Sequence, residues 1–188
     1  MARQKSEDKR QAILSAAVTQ IAREGLGAST ASIAKEAAVA NGTFFTYFET
    51  KQELLNQLDV ELRLELIAVV REGWPDASSP RARFKHCWMR WTKWGADFPD
   101  KRKALAQLGV SDLVTAETRA LGIREAEFTL DAIREIARKG ALKGQPSAFL
   151  FSIVEALAGT TMDFMIKDPR HAEGIQTSGF EAACKAIS

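Results

Sequence analysis

The chain has 188 residues, 46% hydrophobic and 27% charged, with a formal net charge of +2. That length buries an apolar core without help from a metal or disulfide, and the composition excludes a disordered or fibrous chain. The small positive charge suits nucleic acid only weakly, because many soluble proteins share it.

Cys87 and Cys184 stand far apart, with no second Cys or His pair at metal-ligand spacing. A disulfide framework or a zinc site is therefore not expected, nor is any cofactor, and the setting reads as reducing and cytoplasmic. Residues 1–10 are charged and lack the apolar stretch of a secretory signal. Phe149 to Ile166 approaches the apolarity of a membrane span, but Glu155 and Asp163 inside it are costly in hydrocarbon. A buried or interface helix is expected there, with no membrane association.

Apolar residues recur at spacings of three and four throughout, and strand-like alternation is missing, so the fold class is all-α with about nine helices. A first helix is expected from about Ser6 to Glu24, with a stripe of Ile13, Leu14, Ala17, Val18 and Ile21 and a stop at Gly25. A short second helix has Thr30 as its N-cap and Ile33, Ala34 and Ala37 facing inward, and breaks at Ala38 to Ala40. A short third helix covers roughly Asn41 to Phe48, with Phe44 and Phe48 on one face as core. Thr50 and Glu53 form a capping box over a long fourth helix reaching about Glu72. Gly73 to Pro80 breaks the pattern, and further helices are expected near 80–97, 101–108, 112–139, 146–167 and 172–187.

Two short helices joined by a tight turn, within Thr30 to Lys51, form a helix-turn-helix pattern. A helix that enters the major groove needs small or polar residues at its tip and donors for the flanking phosphates; Asn41, Gly42, Thr43, Thr46 and Tyr47 meet that need.

Three pieces of the first 55 residues resemble the TetR family: Ile13-Leu14-x-Ala16-Ala17, Ile33-Ala34-x-x-Ala37-x-Val39, and Gly42-Thr43-x-Phe45-x-Tyr47-Phe48-x-x-Lys51-x-x-Leu54. The resemblance implies a three-helix DNA-binding domain over residues 1–55 and a helical ligand-binding and dimerisation domain over 56–188. It implies that Asn41 and Gly42 meet base edges, with Phe45 offering apolar contact and Thr46 a further contact. Thr30, Thr43, Tyr47 and Lys51 would hold phosphates. Three positions depart from the family pattern: Ala38 for the usual turn glycine, Ala40 for a serine cap, and Phe45 for a tyrosine. An alanine in a left-handed turn is strained. Arg3, Lys5, Lys9 and Arg10 form either a backbone- or groove-binding arm or a solvated tail, within a segment whose local net charge is close to zero.

Beyond Ser79, Phe84, Trp88, Trp91 and Gly95 share a stripe. Core packing and an aromatic-lined cavity both account for it; the cavity would use Trp88, Trp91, Phe128, Phe151 and Met162 to hold a flat or greasy ligand. Asp131, Glu155 and Asp163 either favour a cationic ligand or pair with bases such as Arg134. The family resemblance implies a homodimer through the last two helices, which suits a palindromic double-stranded operator.

The expected function is a sequence-specific transcriptional regulator, a repressor released by a small effector. An activator of the same fold and a helical protein-binding adaptor are the alternatives. Enzyme activity is not expected, because His86 and His171 have no motif-level partner, and His86 and its neighbour Cys87 diverge by about 100° on a helix.

Overall fold

The computed structural model describes residues 2–138 and 140–188, with side chains from Ser6 onward. In chain order the elements are α1 (Ala2–Glu24), a 3-10 turn (Gly25–Gly27), α2 (Thr30–Glu36), α3 (Asn41–Tyr47), α4 (Lys51–Arg71), α5 (Pro80–Asp97), α6 (Pro99–Gly109), α7 (Ala116–Glu125), α8 (Glu127–Ala137), α9 (Ser147–Lys167), a 3-10 turn (Pro169–His171) and α10 (Ala172–Ile187). The described residues contain no strand. Helices α5, α6, α9 and α10 fall within two residues of the expected ends.

The helix expected over 112–139 is instead two, which makes ten α-helices among the described residues rather than nine. The reason is local. Ser111 Oγ accepts from the Leu113 amide at 3.2 Å, Thr115 Oγ1 accepts from the Thr118 amide at 3.2 Å, and the Thr129 hydroxyl donates to the Ala126 carbonyl at 2.7 Å. Short hydroxyl side chains that satisfy backbone groups in this way compete with helix continuation.

The compact units do not follow chain order. Met1–Leu64 packs with Phe98–Gly122, and Glu65–Asp97 packs with Ile123–Ser188. In the first unit the expected α1 stripe is all buried, together with Phe44, Phe48, Leu54, Leu55, Leu58 and Leu62. Ala104, Leu108 and Val114, from far downstream, complete that core. Gly25, at φ +79°, ends α1 as the sequence requires.

One expectation at the start of the chain is corrected. Helix α1 begins at Ala2 rather than near Ser6, so positions 3 and 5 fall in the same helix as Lys9 and Arg10. The Arg10 guanidinium lies 2.5 Å from Glu61 Oε1, donates to Gln57 Oε1 at 2.8 Å and sits over the Phe48 ring at 6.0 Å. The side chains of Arg3 and Lys5 lie outside the described residues.

The second unit packs α5, α8, α9 and α10 around Phe84, Trp88, Ile133, Leu150, Val154, Met162 and Phe180. One polar set crosses this apolar core. Trp88 Nε1 donates to the Gln176 carbonyl at 3.0 Å, and Gln176 Nε2 donates to the Met89 carbonyl and to Thr92 Oγ1, each at 2.8 Å. Buried polar groups satisfied in this way fix one register of α10 on α5. Gly179 permits close approach of α10: a Cβ there would lie 2.3 Å from Thr161 Oγ1. Helix α9 is long and apolar enough to cross a membrane, with a mean hydropathy of 1.5. Its Leu150, Val154, Ala158 and Met162 are nonetheless core residues of this unit.

The turn between α2 and α3 closes as a Schellman motif, with the Val39 amide on the Ala34 carbonyl at 3.0 Å and the Ala38 amide on the Lys35 carbonyl at 3.1 Å. Its left-handed residue is Ala38, at φ +53°, where the family pattern has glycine. A left-handed non-glycine residue costs about 1–2 kcal/mol, and glycine's larger unfolded-state entropy returns part of that. Ala38→Gly is therefore expected to raise the unfolding free energy by about 0.5–1 kcal/mol, read as a higher urea midpoint at unchanged slope.

Candidate nucleic-acid interface

The cap of α2 is Ser29, not Thr30. Ser29 Oγ accepts from the Ser32 amide at 3.0 Å, and Thr30 is the first helical residue, half-buried. Both residues are good caps by type, so composition does not choose between them; the extended backbone at Ser29 (φ −80°, ψ 154°) does. Helix α2 is held from behind by Gln20 of α1, whose Nε2 donates to Glu36 Oε2 at 2.9 Å.

Helix α3 starts at Asn41 behind Ala40, which supplies no side-chain cap. Its two faces separate cleanly. Phe44 and Phe48 have no solvent exposure, whereas Asn41, Gly42, Phe45 and Thr46 are exposed. Phe45 keeps 46% exposure, with its ring edge-on to Phe44 at 5.2 Å, so a large apolar side chain is held facing solvent in a defined orientation. Thr46 Oγ1 donates to the Gly42 carbonyl at 3.3 Å. A Cβ built on Gly42 would meet nothing within 4 Å, so the chain's own packing does not call for glycine there. Thr43 is half-buried, and Tyr47 packs partly against the core.

After α3 the chain turns into α4 through the expected capping box, with one change of partner. Thr50 Oγ1 accepts from the Glu53 amide at 3.0 Å, while Glu53 Oε2 reaches back to the Glu49 amide at 2.8 Å, one residue before the cap. Lys51, half-buried at the first position of α4, donates to the Leu26 carbonyl at 2.6 Å and so ties the turn after α1 to the start of α4. Nothing in the local sequence signals that bond, because its partner is a backbone oxygen 25 positions away.

Of the basic side chains in this region, Arg10 is taken up by Glu7 and Glu61 and Arg23 by Glu24, while Lys9 and Lys35 are exposed. The polar face of α3 is thus mostly hydroxyl and amide in character.

The five residues expected to line a ligand cavity separate into groups. Trp88 and Met162 are buried at 0% and 2% exposure as core side chains. Trp91 and Phe151 are half-buried and stack on each other, with centroids 5.8 Å apart and planes at 11°. Phe128 lies apart from these, edge-on to Trp74 at 4.6 Å with the Arg71 guanidinium 4.2 Å over its ring. The acidic groups also divide: Asp131 pairs with Arg134 at 2.7 Å, and Glu155 and Asp163 are exposed. An open groove of about 570 Å³ runs between α9 and α10, lined by Leu157, Thr160 and Phe164 on one side and Ile175, Ser178 and Ala182 on the other.

His86 Nε2 lies 2.9 Å from the Val70 carbonyl, and His171 Nδ1 lies 2.8 Å from Asp168 Oδ2. Burial pushes the Cys87 thiol up to about 12 and raises Cys184 as well. Both cysteines are therefore neutral thiols at physiological pH.

A helix-turn-helix whose second helix is anchored by two rings and presents amide, hydroxyl and exposed aromatic groups has the build of a DNA-reading head. Residues 13–58 match the family described as bacterial regulatory proteins, tetR family. Over nearly the whole chain the fold is that of solved TetR-family proteins. A TetR family transcription regulator from Marinobacter aquaeolei VT8 is 22% identical with a TM-score of 0.78, covering 98% of each chain. A protein from Shewanella sp. PV-4, assigned to the same family, is 23% identical with a TM-score of 0.81, covering 95% of this chain and 97% of its own. The transcriptional regulator FadR from Bacillus subtilis, solved in complex with stearoyl-CoA, is 19% identical with a TM-score of 0.67, covering 95% and 99%. The match to the tetR family is thus confined by sequence to residues 13–58, while the likeness over the full length is one of fold.

Adjacent rings on α3 are expected to behave oppositely. Phe44→Ala opens a cavity in the core and should cost about 3–5 kcal/mol, whereas Phe45→Ala should change stability by under about 1 kcal/mol. Paired urea titrations of the two variants check this.

Proposed function

We propose that this protein is a homodimeric, sequence-specific DNA-binding repressor of cytoplasmic setting, released from a palindromic operator by a small apolar effector. The observation that carries the reading is the solvent face of α3. Gly42 and Phe45 have no evident part in folding, yet they stand beside Asn41 on a helix held rigidly from behind. A residue without a side chain permits close backbone approach, and an exposed aromatic ring beside an amide suits a thymine methyl next to an adenine edge.

In this reading Asn41, Gly42 and Phe45 meet bases, with Thr46 beside them. Thr30, Thr43, Tyr47 and Lys51 hold phosphates and set the register. Lys51 gives one proton to Leu26, and its ammonium has two more to offer. One seven-residue reading helix spans a half-site, so a palindrome requires two copies. The unburied faces of α9 and α10, with small Gly174, Ser178 and Ala182 beside exposed Phe164, suit such self-association.

The effector is read as apolar. The half-buried Trp91–Phe151 stack, backed by Trp88 and Met162, is the aromatic surface it would meet, and the B. subtilis protein of this fold was solved with stearoyl-CoA. Pairing of Asp131 with Arg134 removes one support for a cationic ligand. Release requires that the effector favour the non-binding state, since a ligand of equal affinity for both states shifts nothing.

Selection from a random duplex library is the test. The full chain should enrich a palindrome, and the Asn41→Ala, Tyr47→Ala double variant should lose it. Gly42→Ala should melt like the parent yet weaken operator binding by about tenfold or more, because the added methyl meets DNA and not protein. No enriched sequence at low salt would overturn the proposal.

A further inference from the structure

The reading helices share their core with chain that lies some 40 residues further on. Leu54, Leu55, Leu58 and Leu62 of α4 pack with Phe44 and Phe48, and Ala104, Leu108 and Val114 close the same cluster. Asn56, Asp59 and Arg63 form a polar stripe on α4 at helical spacing. Asn56 and Arg63 meet the segment that leads into and through α7, and Asp59 holds Arg63.

Asn56 makes the densest set of bonds. Its Nδ2 donates to the Gln52 carbonyl at 2.8 Å and to the Leu113 carbonyl at 2.9 Å. Its Oδ1 accepts from the Thr115 amide at 2.9 Å and from the Thr118 hydroxyl at 2.8 Å. One side chain on α4 thus holds both the loop before α7 and the cap of α7. The same turn is gripped by Arg119, which donates to the Gly109 and Ser111 carbonyls. One helical turn along, Arg63 Nε bonds the fully buried Asp59 at 2.7 Å and lies against Gly122, where a Cβ would come within 2.6 Å of Arg63 Cδ. Helix α7 is seated where any larger residue would displace that ion pair.

We propose that Asn56 is a positioning residue for DNA binding. It makes the first turns of α7 and the first half of α4 a single piece, so the attitude of α4 behind the reading helix is set by the 109–119 turn. A shift of that turn is passed to α3 through Leu54, Leu55 and Leu58 without any DNA contact being altered. The inference rests on the DNA-binding reading above.

The test uses the full chain with Asn56→Ala, Thr118→Val and Thr118→Ser, titrated against the selected operator by fluorescence anisotropy. Active fractions are fixed by stoichiometric titration, so partial unfolding is separated from weaker binding. Losing all the Asn56 bonds should raise Kd about tenfold, and losing the Thr118 hydroxyl about two- to threefold, with Thr118→Ser restored to the parent value. The slope of log Kd against log salt should stay that of the parent, because no phosphate contact is lost. Should Asn56→Ala fail to fold, the Thr118 pair decides alone. Parent-like Kd in folded Asn56→Ala or Thr118→Val overturns the proposal. If the parent itself selects no operator, the DNA-binding reading fails first and this inference with it.

Discussion

Helix α3 is seven residues long, about half the length at which even a good helix former holds its shape in water. It persists because Phe44 and Phe48, one helical turn apart, are sunk to zero exposure among the α1 stripe and the leucines of α4. Removing those two rings from water is worth roughly 2–3 kcal/mol each. Every other feature of the helix-turn-helix depends on that anchorage. The opposite face can be spent on groups that do nothing for stability, and the Phe45 ring is oriented by its edge contact with Phe44. The turn at Ala38 can also carry strain, because the helices on either side are held by burial and not by the turn.

The second unit is organised on a different principle. Its core is apolar, but the register of α10 on α5 is set by the Trp88, Gln176 and Thr92 hydrogen bonds inside that core. Such bonds contribute little net stability when made and cost more when broken, so they select one packing over its neighbours. This arrangement leaves one face of α9 and α10 outside the core, and it leaves the stacked Trp91 and Phe151 half-buried. The apolar length of α9 belongs to a helix that gives one side to this core and presents Phe149 and Phe164 on the other.

The exposed face of α3 carries no charged side chain. Arg10 and Arg23 are neutralised by neighbouring carboxylates, and Lys51 is drawn to a backbone carbonyl. What the exposed face of α3 offers is hydrogen-bonding capacity and shape. On another face of α4, Asn56 fastens the α6–α7 connection to that helix, and Asp59 holds Arg63 one turn along.

The sequence by itself determined the helical class, the limits of most helices to within two residues, the buried faces of α1 and α3 and the capping box at Thr50. All of these are written in spacings of three and four residues or in the chemistry of adjacent caps, and need no knowledge of distant chain. It also carried the exposed face of α3, because those residues sit at fixed offsets from two rings that must be buried. Only the tertiary structure decided that Ser29 and not Thr30 caps α2, that Arg10 folds onto Glu61, that Lys51 finds Leu26, and that Phe128 sits with Trp74 and not beside Trp88. It alone joined Phe98–Gly122 to the helix-turn-helix. Periodicity gives each helix a face to bury but does not name the partner, and a polar side chain's bond is chosen among all the groups that folding brings within 3 Å of it.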